Sequence, residues 1–270
     1  MHPPAIEGNP AQPVIRRLNA LRRLSDDGIA ALERAIREGM LQHVGPGEDL
    51  ISEGDAVHGV RILLSGWLCR YKTLEDGRRQ IVNFILPGET CDAYAHLLPV
   101  MDHSIASLTP VVYAEVKRAQ FEALVAHDSS VAEAFWCETL VNNAIQREWA
   151  INLGRRLALE RVAHLLCEIY ERLRPVGLID GNSCAFPVTQ MDLADATGLS
   201  VVHLNRTLQD LRSSGLILLR ERTLTITDLD VLKSTALFSP NYLHLYRARA
   251  ASLVSHFRNR EPVPFVECSA

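Results

Sequence analysis

The 270-residue sequence has no apolar run long enough to cross a bilayer; its longest apolar stretches are strand-sized. Its N-terminus, MHPPAIEGNPAQP, is proline-rich and lacks an apolar targeting core, so residues 1–19 read as a flexible lead-in. A cytoplasmic protein with no membrane partner is expected. No CxxC pair occurs among the six cysteines, at 69, 91, 137, 167, 184 and 268, and none stands at zinc-like intervals from histidines. They read as ordinary small hydrophobes of a reducing compartment, with no metal and no cofactor, and Cys91, in a loop-like segment, is the one candidate for redox sensing. GxSxG, HExxH and phosphate-cradling glycine loops are missing, and no nucleophile stands near His96, Asp102 and His103, so an enzyme is not expected. Excess basic charge is missing too: the formal net charge is −4. That removes the usual footprint of a nucleic-acid binder, although affinity depends on a local basic face rather than on the total.

A globular core is well supported by 47% hydrophobic residues. Residues 25–38 place Ile29, Leu32 and Ile36 at helical spacing behind Ser25 as N-cap. From Met40 to Val116 the chain breaks into short β-type runs (LQHV, GVRILLSG, WLCRYKTL, RQIVNFIL, VVYAEV) punctuated by GPGED, EGD, EDG and PGE. Asp76-Gly77 marks a hairpin, and the ensemble predicts an antiparallel roll or barrel. Residues 130–152 then carry an apolar stripe too wide for a lone surface helix, fitting one that packs on its own domain and on a partner. A further helix, roughly 155–173, and a connector, RPVGLIDGNSCAFPV, follow.

The stretch 189–227 is more specific. Thr189 caps a short helix, QMDLADAT, ended by Gly198; Ser200 caps a second, VVHLNRTLQDLR, with Val201, Leu204, Leu208 and Leu211 on its buried side. Two helices joined by about four residues with a central glycine make a helix-turn-helix. Ala194 stands where the helices approach closely, and GLILLRERTLTI adds a two-stranded wing with its tip at Arg220–Thr223. The polar side of the second helix carries His203, Asn205, Arg206, Gln209 and Arg212, hydrogen-bonding types with only Asp210 acidic among them, whereas a merely solvated helix mixes Glu and Lys. In a major groove Val202, His203, Asn205 and Arg206 would reach base edges, Arg206 forking onto guanine, while Thr189, Gln190, Ser200 and Arg212 would meet phosphates.

With a glycine-punctuated roll (ISEGD, LLSGWL, LPGE), a long helix, the RVAHLL run and TQMDLADATGLSVVHLNRTLQDLRSSGLI in that order, the chain resembles the Crp/Fnr family of bacterial transcription regulators over about residues 20–233. The resemblance implies an α+β chain: a jelly-roll-like antiparallel β-roll sensor (20–128), a dimerisation helix (129–154) and a winged helix-turn-helix (155–234). Beyond residue 235 the family pattern gives out, and SPNYLHLYRARAASLVSHFRNR, with its Ser-Pro start, reads as a helical extension (235–270). The resemblance also implies a homodimer on a near-palindromic operator in double-stranded DNA, with RNA polymerase as a partner and a small-molecule effector of unknown identity. The alternative is a roll that serves as sensor or scaffold without binding DNA.

Three departures from the family pattern stand out. Cyclic-nucleotide-binding members carry Gly-Glu and then Arg-Ser where this chain has Asp92-Ala93 and His103-Ser104. Losing the guanidinium and gaining Asp92 argues against a cyclic-nucleotide effector in a pocket at Asp92, His103 and Ser104. The N-terminal cysteines of iron–sulfur-sensing members are missing, and for a haem His96 or His103 would be the axial ligand, although a loop histidine is ordinarily polar surface. Where many relatives have a glutamate before the recognition arginine, this chain has Val201-Val202-His203, so a different operator sequence is expected.

Overall fold

The computed structural model describes residues 9–245. Residues 12–19, expected to belong to a flexible lead-in, instead form most of helix α1 (Gln12–Leu21). Proline in its first turn suits a helix start, and Val14, Ile15, Leu18 and Leu21 recur on one buried face. The helix lies on the turn at Gly88, where φ is +91° and an added Cβ would stand 2.5 Å from the Pro13 carbonyl oxygen. Helix α2 (Asp26–Glu38) follows, with the Ser25 hydroxyl accepting from the Gly28 N–H at 2.8 Å.

Eight strands build the roll: β1 (Met40–Val44), β2 (Asp49–Ile51), β3 (Gly59–Ser65), β4 (Leu68–Thr73), β5 (Arg79–Ile85), β6 (Thr90–Cys91), β7 (Ser104–Ser107) and β8 (Val111–Lys117). They form two antiparallel sheets, in the orders β1-β8-β3-β6 and β2-β7-β4-β5. Leu63, Leu68, Ile85, Ile105 and Val111 are buried together in the roll. The β4–β5 connection is residues 74–78, in which Gly77 but not Asp76 takes positive φ, so the turn is longer than a two-residue hairpin loop. Cys91 is not in a loop: it is buried in β6, and burial pushes its thiol up to about 12, which removes the thiolate that redox sensing would need.

Helix α3 (Arg118–His127) leads into the long α4 (Ser129–Arg155), capped by the Asp128 carboxylate, which accepts from the Val131 N–H at 3.0 Å. The backbone turns extended at Arg156 and Leu157 and resumes as α5 (Ala158–Leu173). The head comprises β9 (Ile179–Asp180), β10 (Ser183–Ala185), α6 (Gln190–Thr197), α7 (Val201–Ser213), β11 (Ile217–Arg220), β12 (Thr223–Ile226) and α8 (Leu229–Thr235), its sheet ordered β11-β12-β10-β9. After Ser239 the Pro240–Leu243 segment is one tight 3-10 turn, and the rest of the expected C-terminal helix lies outside the described residues.

Roll and head share one core. Trp67 meets Phe186 edge-on at 6.0 Å, Phe84 meets Trp149 at 6.0 Å, and the same cluster continues to Leu193, Leu204 and Leu208. A buried arginine ties them polarly: Arg172 on α5 donates to Glu89 Oε2 at 2.6 Å, to the Phe84 carbonyl at 2.6 Å and to Glu168 at 3.0 Å. Burial works against the Glu89 charge, but Arg172 and Arg17 outweigh it and hold that carboxyl below its usual range.

Candidate nucleic-acid interface

Helix α6 starts with a capping box: the Thr189 hydroxyl accepts from the Asp192 N–H at 3.1 Å and donates its proton to Asp192 Oδ2. That proton is therefore spent inside the cap, while Gln190 and Met191 are exposed beside it. Gly198 ends the helix at φ 62°, ψ 33°, as its freedom from a Cβ allows, and an added Cβ would press on Leu153 at 3.1 Å. Ser200 then starts α7, its hydroxyl accepting from the His203 N–H at 3.2 Å.

On α7 the buried side is Leu204, Leu208 and Leu211, as the spacing predicts, joined by Thr207, whose hydroxyl donates to the His203 carbonyl. Val201 is partly buried against the same core. The opposite side presents Val202 (65% exposed), His203, Asn205, Arg206 and Gln209 to solvent in one row. Among the described residues no side chain forms a hydrogen bond or ion pair with the side chains of Val202, Asn205 or Arg206, so they are available to an external partner. Arg212 is half-buried at the base of a concavity it shares with Gln209, Leu218 and Arg220 of the wing.

The wing tip falls at Arg220–Thr223, where the sequence places it. Glu221 and Arg222 both take positive φ, 47° and 60°, as a two-residue type I′ loop requires, without the usual Asn-Gly. The Arg222 carbonyl is held by the Phe186 N–H at 2.7 Å, which supports that conformation.

Within the roll the structure brings Asp92 and His103 together and leaves Ser104 apart. Asp92 Oδ1 lies 3.0 Å from an Arg70 terminal nitrogen, and Oδ2 lies 3.0 Å from His103 Nε2; His103 Nδ1 meets Asp102 at 2.7 Å. The Ser104 hydroxyl instead accepts from the Glu53 N–H at 3.0 Å. Burial opposes charge on Asp92, but Arg70 and His103 outweigh it and lower its pKa; burial likewise opposes charge on His103, and the two carboxylates raise its pKa above the usual range. Asp92 sits at φ 59°, a conformation suited to the glycine that cyclic-nucleotide-binding members carry there. Arg70, on β4, is the residue sequence reading missed; nothing in the local pattern pairs it with a position 22 residues on.

Asp92, Asp102 and His103 border a cavity of about 190 Å³ that Tyr94, Leu98 and Met101 also line on the roll side. Thr139, Asn142 and Asn143 of α4 close it from the other side. A cyclic phosphate does not fit: no guanidinium is among the residues lining the cavity, and the buried Arg70 behind Asp92 is already neutralised by that carboxylate. Both ring nitrogens of His103 face carboxylates, and the His96 ring is packed beside Phe121 and Tyr94, so neither is poised as a haem ligand.

A sensor-type roll, a long connecting helix and an exposed reading helix with a wing define a DNA-binding regulator. Family models agree in both halves: residues 41–128 match the cyclic nucleotide-binding domain and residues 160–235 the Crp-like helix-turn-helix domain. The chain belongs to the Crp/Fnr family of DNA-binding transcriptional regulators. It is similar to the transcriptional activator protein FnrL of Cereibacter sphaeroides, 28% identical over 186 residues that cover 67% of this chain and 74% of that protein. It is also similar to the nitrogen fixation regulation protein FixK of Rhizobium meliloti, 28% identical over 192 residues covering 70% and 83%. Among solved structures, FixK2 from Bradyrhizobium japonicum superposes with a TM-score of 0.67 at 25% identity, covering 74% of this chain and 98% of that one. A transcriptional regulator of the CRP family from Thermus thermophilus, at 20% identity and TM-score 0.59, covers 73% and 97% and shares the fold. These relatives are regulators rather than enzymes, and no helix among the described residues is long and apolar enough to cross a membrane.

Proposed function

We propose that the chain reads a near-palindromic operator as a homodimer in the cytoplasm, without catalysing a reaction. The dimer seam runs along α4. Trp136 (52% exposed), Leu140 (61%) and Ile151 stand on its outer side with Asn143 and Arg147 between them, at steps of three and four residues that seat one helix against a second copy. Each α7 then enters a major groove, with half-sites about 34–36 Å apart. Arg206 forks onto guanine, Asn205 pairs with a base edge, and Val202 and His203 complete the contacts. Gln190, Ser200, Gln209 and Arg212 meet phosphates or the groove edge, and Thr189 contributes by building the start of α6.

The observation that carries the reading is the exposed row of hydrogen-bonding side chains His203, Asn205, Arg206 and Gln209, with Val202 beside it and Asp210 as the one neighbouring acid, on a helix anchored by three buried leucines. Bound operator would position the protein to contact RNA polymerase. The effector, if one is used, is not a cyclic nucleotide, because Asp92 already supplies the anion for Arg70.

Selection of purified full-length protein on random double-stranded DNA tests this. Enrichment of a palindrome with half-sites one helical turn apart is the expected result, with affinity falling steeply as salt rises. Enrichment of single, unpaired half-sites would overturn the dimer reading, and no enrichment with or without cell extract would overturn the assignment of α7.

A further inference from the structure

Roll and head also meet at a place that the core does not explain. Arg79, at the start of β5, reaches across to α6: its Nε lies 2.8 Å from Asp195 Oδ2 and a terminal nitrogen pairs with Asp192 Oδ1. Gln80 next to it donates to the Asp195 carbonyl at 2.6 Å. The guanidinium lies over the Tyr71 ring, 5.6 Å from its centre, and the Tyr71 hydroxyl is itself held by Asp49 at 2.8 Å. Unlike Arg172, which is fully buried, the Arg79 side chain is 29% exposed, so this contact can open without dismantling the core.

The position matters because of what α6 is. Its sequence, QMDLADAT, holds two carboxylates and no cation, and the first helix of a helix-turn-helix crosses the phosphate backbone. Asp192 is also the capping partner of Thr189, two residues from exposed Gln190. One carboxylate is thus shared between the phosphate-facing helix start and an arginine of the sensor roll, 113 residues away.

We infer that Arg79 is a positioning residue for DNA binding: it neutralises the acids of α6 and holds the head in the pose that sets the separation of the two reading helices. The inference rests on the homodimer reading above. Two consequences follow. Losing Arg79 leaves two carboxylates near the phosphates, which weakens binding at every sequence alike. It also frees the head to settle at other angles, which relaxes the spacing requirement without altering which bases are read.

The test uses full-length Arg79→Gln and Asp195→Asn proteins on a series of operators whose half-sites are moved apart one base pair at a time. Asp195→Asn alters a partly exposed helix side chain and keeps the inference testable should Arg79→Gln not fold. The expected result is a wider range of tolerated separations in both variants. Arg79→Gln should in addition bind the best operator about 5-fold or more weakly, with the half-site sequence unchanged. A wild-type preference for one separation that both variants retain would overturn the inference. Wild-type protein indifferent to separation would overturn the homodimer reading instead.

Discussion

The Asp92 carboxylate lies 3.0 Å from the Arg70 guanidinium, at the position where cyclic-nucleotide-binding members of the family carry the glycine of their Gly-Glu pair. This chain carries an anionic side chain there. The pairing leaves the cavity beside α4 lined by neutralised groups, and its backbone cost is a non-glycine residue at positive φ.

Replacing Asp92 by alanine should therefore leave the buried Arg70 without a carboxylate and His103 with Asp102 alone. A destabilisation of about 1–3 kcal/mol is expected in urea unfolding, partly reversed by millimolar phosphate, which would take the vacated place. Phosphate-insensitive stability in that variant would show that the two cations do not form an anion site.

Two histidines should give stability opposite dependences on pH. Burial, then the nearby Arg156 charge, push His164 down to about 3, below its unfolded value near 6.5. Its unfolded form binds the proton more readily, so its contribution is complete above about pH 6.5 and is lost as pH falls. The loss is about 2 kcal/mol by pH 5. His103 has a raised folded value, so its contribution is complete below about pH 6.5 and disappears as pH rises through that raised value. Unfolding measured from pH 5 to 8 should lose its acid slope in His164→Gln and its alkaline slope in His103→Gln.

Leu140→Lys should separate the protomers. Leu140 is among the most exposed apolar side chains of α4, so its loss leaves the fold intact while a charge enters the proposed seam. Sedimentation velocity should report a monomer, and operator affinity should fall at least about tenfold. A dimer persisting at micromolar concentration would place the seam elsewhere.

Arg206→Ala should lower specific affinity by about 1–3 kcal/mol and relax preference at one position of each half-site, read by repeating the selection on random DNA. An unchanged logo would refute the assigned role. The same substitution at half-buried Arg212 should instead weaken binding evenly and reduce the salt slope by about one.

Much of the head was legible because its signals are local. Thr189, Gly198 and Ser200 act on backbone groups within a few residues, so α6 and the start of α7 fall where the caps and glycine predict. Helix α1 was missed because proline-rich composition masked the recurrence of Val14, Leu18 and Leu21, whose burial depends on apolar residues of the roll and of α4 far along the chain. The short strands β2, β6 and β7 carry too few residues for an alternation to register, and only their neighbours in the sheets make them strands.

What the sequence by itself determined is the order of the parts, the capped reading helix with its polar row, and the loss of the phosphate-binding arginine, all written in residue type and spacing. Only the tertiary structure decided that Asp92 would be answered by Arg70, that Arg172 would join α5 to Glu89, and that Arg79 would reach Asp192 and Asp195. Such pairings depend on which strands and helices come side by side. Charge partners 22 to 116 residues apart leave no periodic trace along the chain, because proximity between them is created by the packing of the core.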